Sequence, residues 1–471
     1  MIDTEVLRKR TLEQAFKGKI TRRSIDDENA GILYAHILSE NKISNIEKFE
    51  ELYDIPDTWK WISLGNVGRW GAGATPSRKV KEYYGGNIPW LKTGDLNDGT
   101  INDIPEYITE LALKETSVKI NPIGSVLIAM YGATIGKLGI LEIEATTNQA
   151  CCACRTYDGI YNKYLFYYLM SQRDNLKYMG SGGAQSNISK EKIVGFSFPL
   201  APYAEQIRVV DAIEVIFSEL DQIDKLQKQY SSDLEILKSK IIDAGIQGKL
   251  TEQLPEDGTA EELLKQIAEE KKLLIKEKKI KATKALPEIT DDEIPFDIPD
   301  NWRWVRLNDI CSKITSGNTP AGGSKGGAYV AEGNCFFREQ NIYNDGIHYD
   351  GMVYINDELL ATRENSTVLP QDILLNITGG SIGRCTLVPD DFIKGSINQH
   401  ILIIRVIDPR LRFYVHKCLC SPYYQKLIMG NVVGDKDGFS AGRCKNTIIP
   451  LPPINEQGRI VEKIDEILAL I

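Results

Sequence analysis

The stretch IPDTWKW at residues 55–61 returns as IPDNWRW at residues 298–304, 243 positions later. Other motifs recur in the same order: GATP at 73–76 with GNTP at 317–320, Gly132, Ile135 and Gly136 with Gly379, Ile382 and Gly383, Asn148-Gln149 with Asn398-Gln399, and PLAPYAEQIR at 199–208 with PLPPINEQGR at 450–459. The offset drifts only to 251. Motifs that keep both their order and their spacing indicate one duplicated domain.

A second repeat is out of phase with the first. LRKRTLEQAFKGKIT at 7–21 resembles LKSKIIDAGIQGKLT at 237–251, with an offset of 230. The chain therefore opens with the second half of the central segment and closes, at 450–471, with its first half. This order fits a pseudo-two-fold arrangement in which the terminal segments pack together and imitate the unbroken central segment.

The repeats are expected to be mixed α/β (α+β) domains. Short β-rich runs such as 125–132 and 372–379 alternate with turns, and each repeat has one clear helix, at 162–178 or 412–428. The predicted organisation is a helical segment at 1–54, the first repeated domain at 55–200, a central helical spacer and linker at 201–297, the second repeated domain at 298–450, and a helix at 451–471 that pairs with the central helix. Trp59, Trp61, Trp302 and Trp304 are expected to anchor the cores.

The central segment predicts a long helix from residue 205 to about residue 246. Its apolar residues recur at steps of three and four: Val210, Ile213, Phe217, Leu220, Ile223, Leu226, Tyr230, Leu234, Leu237 and Ile241. This spacing is typical of a coiled-coil seam, and the expected partner is the composite of 455–471 and 5–17. A helix packed on a globular domain is the alternative. A second helix is predicted at 259–281, with a capping box from Thr259 to Glu262.

Composition and charge exclude several classes of protein. With 42% hydrophobic residues among 471, the chain can bury a core, and it contains no apolar run of 18 residues and no secretory signal at its start. Nine cysteines are too scattered for a disulfide scaffold, so a cytoplasmic location is expected. The net charge of −9 alone disfavours nucleic-acid binding. However, the repeats carry +2 and +1, and the connecting segments carry −12.

Catalytic and metal-binding motifs are not found. No phosphate-binding loop or H-E-x-x-H motif is present, and neither is a magnesium nuclease or adenine methyltransferase motif. Cysteines at 151, 154, 418 and 420 have spacings that zinc sites use. Their equivalents in the other repeat are apolar or aromatic, namely Ile401, Ile404, Tyr168 and Met170. We therefore expect core cysteines, no bound metal, and structural or surface roles for His348, His400 and His416.

The organisation resembles the specificity subunits of type I restriction–modification systems over essentially the whole chain. The resemblance rests on the IPD-x-W-x-W openings, the GNTP-like turns, the G-x-x-I-G segments, the Asn-Gln pairs, the PLPPINEQ closings and the QGKLT segment. It implies that each repeat is a target-recognition domain for one half of a split, asymmetric double-stranded DNA target. It also implies that the helices set the spacer and dock two methyltransferase subunits, which restriction subunits join. S-adenosylmethionine, ATP and Mg²⁺ would belong to those partners, and none would be bound by this non-catalytic chain.

Base reading uses Arg or Lys for guanine and Asn or Gln for adenine, and both are expected on loops. WLKTGDL at 90–96 aligns with FFREQNI at 336–342. The predicted DNA-contacting residues are Arg78, Lys79, Lys81, Lys92, Thr93, Asp95, Tyr131, Gln185, Ser186 and Asn187 in the first repeat, and Lys325, Arg338, Gln340, Asn341, Lys436, Phe439 and Arg443 in the second. For each of them the alternative interpretation is an ordinary loop residue that faces solvent.

Two further functions stay open on the sequence alone. One is a scaffold or decoy of the same fold that acts through protein partners and binds no DNA. The other is an isolated DNA-binding protein without an enzymatic complex.

Overall fold

The computed structural model describes residues 1–24, 26–44, 50–180, 187–320, 327–430 and 439–471. These residues form two compact units, Met1–Gln229 and Tyr230–Ile471, each with its own cores. Among the described residues, every helix is too short or too polar to cross a membrane.

The described residues of the first unit form short helices and ten strands. Its helices are α1 Thr4–Ala15, α2 Ala30–Asn41, α3 Glu110–Glu115, α4 Asn162–Ser171, α5 Arg173–Gly180, α6 Lys190–Val194 and the start of α7, Tyr203–Ile246. Its strands are β1 Lys60–Ser63, β2 Gly68–Ala72, β3 Tyr84–Leu91, β4 Gly99–Ile101, β5 Tyr107–Ile108, β6 Val126–Ala129, β7 Leu138–Leu141, β8 Thr146–Thr147, β9 Cys151–Thr156 and β10 Ser197–Leu200.

Three sheets organise these strands. The largest has the order β2-β9-β6-β7-β4, a smaller one has the order β5-β3-β8, and β1 pairs with β10. In the large sheet, β6 and β9 are buried along most of their length, and α4 packs on β6 and β7. The main core lies between this sheet, α4, α1, α2 and the start of α7.

The part of the second unit that the structure describes has seven further helices and twelve strands. The helices are α8 Ala260–Lys276, α9 Leu307–Ile310, α10 Asp357–Ala361, α11 Arg412–Cys420, α12 Pro422–Gly430, α13 Ala441–Asn446 and α14 Ile454–Ala469. The strands are β11 Arg303–Arg306, β12 Cys311–Ser316, β13 Asn334–Phe337, β14 Ile342–Tyr343, β15 Gly346–Ile347, β16 Val353–Ile355, β17 Thr367–Val368, β18 Ile373–Asn376, β19 Cys385–Leu387, β20 Gly395–Ile397, β21 Ile401–Val406 and β22 Ile448–Leu451.

The sheets of the second unit repeat those of the first. The order β12-β21-β18-β19 corresponds to β2-β9-β6-β7, the order β16-β13-β20 corresponds to β5-β3-β8, and β11 pairs with β22 as β1 pairs with β10. In these smaller sheets β3 pairs with β8 and β13 pairs with β20 in parallel, and β17 adds a fourth strand in the second unit. The units differ next to β7 and β19, because β4 extends the sheet in the first unit, whereas β14 and β15 form a separate hairpin in the second. The predicted duplication is therefore present in the topology.

The glutamate of the closing motif accepts a hydrogen bond from a tryptophan of the opening motif in both units. Glu205 is fully buried and accepts a hydrogen bond from Trp59 Nε1 at 2.8 Å. Glu456 is also fully buried and accepts one from Trp302 Nε1 at 2.9 Å. A buried carboxylate requires such donors, because an unpaired one would lose its hydration without compensation. The IPD-x-W opening and the P-x-x-E-Q closing are thus two halves of one contact.

Within the first unit, α1 lies antiparallel to the start of α7. Thr4 Oγ1 donates to Asp224 Oδ1 at 2.5 Å, and Arg8 forms ion pairs with Asp221 and Asp224 at 2.8 and 2.7 Å. Leu12 is buried farther along α1. The predicted pairing of the N-terminal segment with the central helix is present in these contacts.

Within the second unit, α14 lies antiparallel to the end of α7. A Cβ atom on Gly245 would come within 2.6 Å of Ile464 Cδ1, which shows how closely the two helices approach.

The expected apolar seam of α7 is buried at its ends, at residues such as Ile213 and Ile241. Leu226 and Tyr230 are 67% and 59% exposed, so the middle of the predicted seam is open to solvent in this chain.

Helix prediction was right for the long elements and wrong in detail for others. The capping box from Thr259 to Glu262 is present at the start of α8, which ends at residue 276 rather than at 281. The single helices expected at 162–178 and 412–428 are each broken into two, and Pro422 explains the second break because it cannot donate within a continuing helix. The sequence analysis did not predict α2, although it occupies the same place as α8 in the out-of-phase repeat.

Candidate nucleic-acid interface

The glycine-threonine-proline turn of each repeat is tied to the Asn-Gln motif. Thr75 Oγ1 donates to Gln149 Oε1, and Thr319 Oγ1 donates to Gln399 Oε1. The glycine before each threonine is also constrained, because a Cβ atom on Gly73 would come within 2.2 Å of a main-chain oxygen. Each repeat therefore holds this turn rigidly against the strand end that precedes the Asn-Gln pair.

A second shared turn presents the residues that align between WLKTGDL and FFREQNI. In the first repeat, the Lys92 amide donates to Asp95 Oδ2 at 2.8 Å across a 3₁₀ turn. In the second repeat, the Arg338 amide donates to Asn341 Oδ1 at 3.1 Å across the equivalent turn. The φ angles of Lys92 and Arg338 are −109° and −116°. The two turns thus share one backbone conformation and differ in the side chains that they carry.

Near this turn of the first repeat, two basic side chains form ion pairs with the same carboxylate. Arg78 forms an ion pair with Glu106, and Lys92 Nζ lies 2.8 Å from Glu106 Oε2. The hydrogen bond from Arg78, followed by that from Lys92, lowers the pKa of Glu106 below its ordinary value. The Arg78 guanidinium also lies 4.2 Å from the centre of the Tyr84 ring. The cationic pair is therefore positioned before any partner binds.

The predicted residues of the second turn are placed differently from one another. The guanidinium of Arg338 donates to the Gly351 carbonyl at 2.6 Å and is half-buried, whereas Gln340 is exposed. Asn341 is fully buried, and its amide nitrogen donates to the His348 carbonyl at 3.0 Å. In this conformation Asn341 shapes the turn, and Arg338 and Gln340 are the side chains within reach of a partner.

The G-x-x-I-G segments form 3₁₀ turns that connect β6 to β7 and β18 to β19. Gly132 and Gly379 adopt φ angles of +65° and +74°, a conformation that side chains with a Cβ atom rarely take. Tyr131, next to the first of these turns, is 42% exposed and forms a β-bridge to Asn187. The structure therefore brings together two of the predicted contact residues, Tyr131 and Asn187, which are 56 positions apart in the sequence.

The remaining predicted residues fall into three groups. Arg78, Lys79 and Lys81 are exposed, and Thr93 and Asp95 are half-buried. Phe439 is only 2% exposed within the main core of the second unit, and Arg443 is half-buried on α13. Gln185, Ser186, Lys325 and Lys436 lie outside the described residues. Phe439 therefore contributes to packing in this structure, and the DNA-contacting roles of the other residues stay predictions.

One aromatic stack was missed by the sequence analysis. The Arg384 guanidinium lies 4.2 Å from the centre of the Tyr343 ring, and the Tyr343 and His348 rings are stacked at 4.0 Å. These residues adjoin the turn that carries Arg338. Like Arg78 and Tyr84 of the first repeat, Arg384 and Tyr343 form a contact between an arginine and a tyrosine ring. Only the fold joins Arg384 to a tyrosine 41 positions earlier, and the aligned motifs give no sign of it.

Comparison with known proteins agrees with the resemblance found in the sequence. A family model described as the type I restriction modification DNA specificity domain matches residues 56–231 and 299–471. The type I restriction enzyme EcoAI specificity subunit of Escherichia coli is 23% identical over 538 aligned positions, which cover 98% of this chain and 88% of that protein. The type I restriction enzyme MjaIX specificity subunit of Methanocaldococcus jannaschii is 25% identical over 416 positions, which cover 86% of each chain.

Solved structures show the same fold. A chain from a study of complex assembly and conformational transition of the type I R-M system superposes with a TM-score of 0.60 and 19% identity, covering 89% of this chain and 92% of that one. The HsdS subunit of Thermoanaerobacter tengcongensis gives a TM-score of 0.52 with the same identity and coverage. Two matches to the family model, one on each repeat, place the chain in the family of type I restriction–modification specificity subunits, the non-catalytic DNA-recognition components of these systems.

Proposed function

We propose that each repeat of this specificity subunit reads one half of a bipartite, asymmetric target in double-stranded DNA. The pair of equivalent turns at 92–95 and 338–341 is the observation that carries the proposal. The turns share their backbone conformation, but they present lysine in one repeat and arginine and glutamine in the other. Because different side chains select different base edges, two halves built in this way would recognise different sequences.

The readers at the second turn are proposed to be Arg338 and Gln340, and Asn341 is proposed to hold their shared backbone. Arg78, Lys79 and Lys81 suit phosphate contacts, since they are exposed and flank a rigid turn. The near-neutral charge of the repeats limits how much nonspecific affinity they can supply. We therefore expect partner subunits to provide part of the phosphate contact.

The helical segments are proposed to set the distance between the half-sites and to dock two methyltransferase subunits. On this proposal, the recognition domains extend over residues 55–200 and 298–450, and segments 1–54, 201–297 and 451–471 form an antiparallel coiled-coil frame with pseudo-two-fold symmetry. The antiparallel contacts of α1 and α14 with α7 support this frame. S-adenosylmethionine, ATP and Mg²⁺ are proposed to bind the methyltransferase and restriction subunits rather than this chain.

The proposal is tested by sequencing methylated adenines produced by the complex of this chain with its methyltransferase subunits. The variant Arg338→Ala should relax the choice at one base of one half-site, with a loss of about 10–100-fold in discrimination, because one bidentate base contact contributes roughly 1–3 kcal/mol. Lys92→Ala should alter only the other half-site. Arg410→Ala is the matched control, since this arginine pairs with Asp408 on the turn before α11.

Three outcomes would contradict the proposal. Unchanged specificity in Arg338→Ala would remove this residue from the readers. Methylation of a single undivided motif would contradict the division of reading between the repeats. A chain that co-purifies with protein partners but never directs methylation would instead be a scaffold or decoy.

A further inference from the structure

A cluster of three side chains in the second unit has the chemistry of a metal site. Cys385 lies at the start of β19, and His416 and Cys420 lie four residues apart on α11, which packs on that strand. One ligand atom from each residue lies within 4.8 Å of the other two. We propose that these three side chains bind a thiophilic divalent cation such as Zn²⁺.

The distances suit tetrahedral coordination by sulfur and nitrogen. Zinc–sulfur and zinc–nitrogen bonds of about 2.3 and 2.0–2.1 Å separate neighbouring ligand atoms by about 3.5–3.8 Å in a tetrahedral site. His416 Nε2 lies 3.5 Å from Cys420 Sγ. His416 Nε2 also lies 3.0 Å from the Cys385 carbonyl oxygen, to which it donates when this nitrogen is protonated. When the ion binds through Nε2, the neutral ring carries its proton on Nδ1, and the two cysteine thiols release their protons to solvent.

Comparison of the repeats shows that the three residues of the cluster together replace three apolar residues of the first repeat. The alignment that matches Gly136 with Gly383 places Leu138 opposite Cys385. The alignment of α4 with α11 places Phe166 opposite His416 and Met170 opposite Cys420. The first repeat therefore fills this contact between helix and strand with three apolar side chains, of which Leu138 is fully buried. In the second repeat all three positions carry side chains that can ligate zinc, two thiols and an imidazole.

The burial of the cluster suits retention of a bound ion. Cys385 is fully buried, and His416 and Cys420 are half-buried. Three protein ligands leave one tetrahedral position for water or another small ligand. The ion would tie α11 to β19 in the second repeat, and it would be separate from the cofactors of methyl transfer.

The test uses the full-length chain, purified under reducing conditions, incubated with Zn²⁺ and dialysed free of excess metal. Elemental analysis should find one zinc per chain. The variant Cys385→Leu/His416→Phe/Cys420→Met installs the side chains of the first repeat and should retain none. Cys335→Ser removes a half-buried thiol of the same repeat outside the cluster and should retain one equivalent.

A second measurement identifies the ligands and does not depend on stability. Replacement of zinc by Co²⁺ should produce thiolate-to-cobalt charge-transfer absorption in the native chain and in Cys335→Ser, and this absorption should be lost in the triple variant. Zinc should also raise the melting temperature of the native chain but not that of the triple variant. Absence of stoichiometric zinc, equal zinc in the triple variant, or a disulfide between Cys385 and Cys420 in the freshly purified chain would overturn the proposal.

Discussion

The two repeats agree most closely where they are buried and differ most at the edges of their sheets. At the base of each repeat, a tryptophan donates to a fully buried glutamate with nearly the same geometry, 2.8 Å for Trp59 and 2.9 Å for Trp302. At the sheet edge, the first repeat adds strand β4, whereas the second forms the β14–β15 hairpin. Buried polar groups need specific partners, but an exposed edge tolerates many sequences, so the repeats differ at the sheet edges next to the turns that we propose to contact DNA.

The largest effect is expected from removal of the buried tryptophans. Trp59→Ala and Trp302→Ala should each lower the free energy of unfolding by about 3–5 kcal/mol, because each leaves a cavity and removes the indole donor from a buried glutamate. Hydrogen exchange measured peptide by peptide should show the loss of protection in the unit that carries the change. Equal loss of protection in both units after either substitution would contradict their description as separate compact units.

A smaller effect should distinguish the two glutamates. Glu205 accepts from Trp59 and Thr21, whereas Glu456 accepts from Trp302, Thr251 and also Gln253. Each alanine variant should lower the free energy of unfolding by about 1–3 kcal/mol, because a buried donor loses its acceptor. Glu456→Ala should cause the larger loss of unfolding free energy, since it leaves one more donor without its acceptor.

Chemical denaturation of Glu205→Ala and Glu456→Ala, followed through the fluorescence of the affected tryptophan, measures this difference. Thr21→Val and Thr251→Val serve as milder controls on the same network. An equal loss for the two glutamates would show that Gln253 contributes little to the buried contact.

The smallest effect concerns a contact that only the second repeat has. Arg306 is buried and pairs with Glu293 at 2.9 Å, whereas serine occupies the equivalent position 63. The hydrogen bonds from Arg306, ahead of that from the Thr290 backbone, lower the pKa of Glu293 from 4.5 to about 2. A carboxylate with a lowered pKa stabilises the native state above its unfolded value, so this stabilisation should be lost as the pH falls from about 4.5 to about 2.

Hydrogen exchange of segment 287–293 between those pH values measures the loss. Arg306→Ser, which installs the residue of the first repeat, should abolish the pH dependence. Glu288→Gln is the matched control, because only the carbonyl of residue 288 contacts Arg306. Retention of the pH dependence in Arg306→Ser would assign it to another carboxylate.

The sequence predicted the framework better than the contacts. The duplication, the long helix and the burial of Cys151, Cys154 and Cys418 followed from periodicity and from alignment of the repeats, and all are present, whereas Cys420 is half-buried. The sequence did not predict which loop side chains point to solvent, because a loop sequence does not show which residue supports the turn. Asn341 and Phe439 were predicted to contact DNA, but both are buried.

The same limit explains the metal-ligand cluster. His416 and Cys420 share a helix face, and their four-residue spacing is readable in the sequence. Cys385 is 31 residues before His416, and only the packing of α11 on β19 brings it to them. The sequence analysis judged Cys420 by its single aligned partner, Met170, and did not consider Cys385. The simultaneous change at three contacting positions became visible only in the fold.

The antiparallel contact between α1 and α7 has a consequence for biosynthesis. The contacts of Thr4 and Arg8 with α7 join residues that are 209–220 positions apart. At about 5–20 residues per second, ribosomes would complete α7 roughly 10–40 s after α1. During that interval α1 can pack on α4 but cannot form the ion pairs of Arg8 with α7, so this contact is completed only after the first half of α7 has left the exit tunnel.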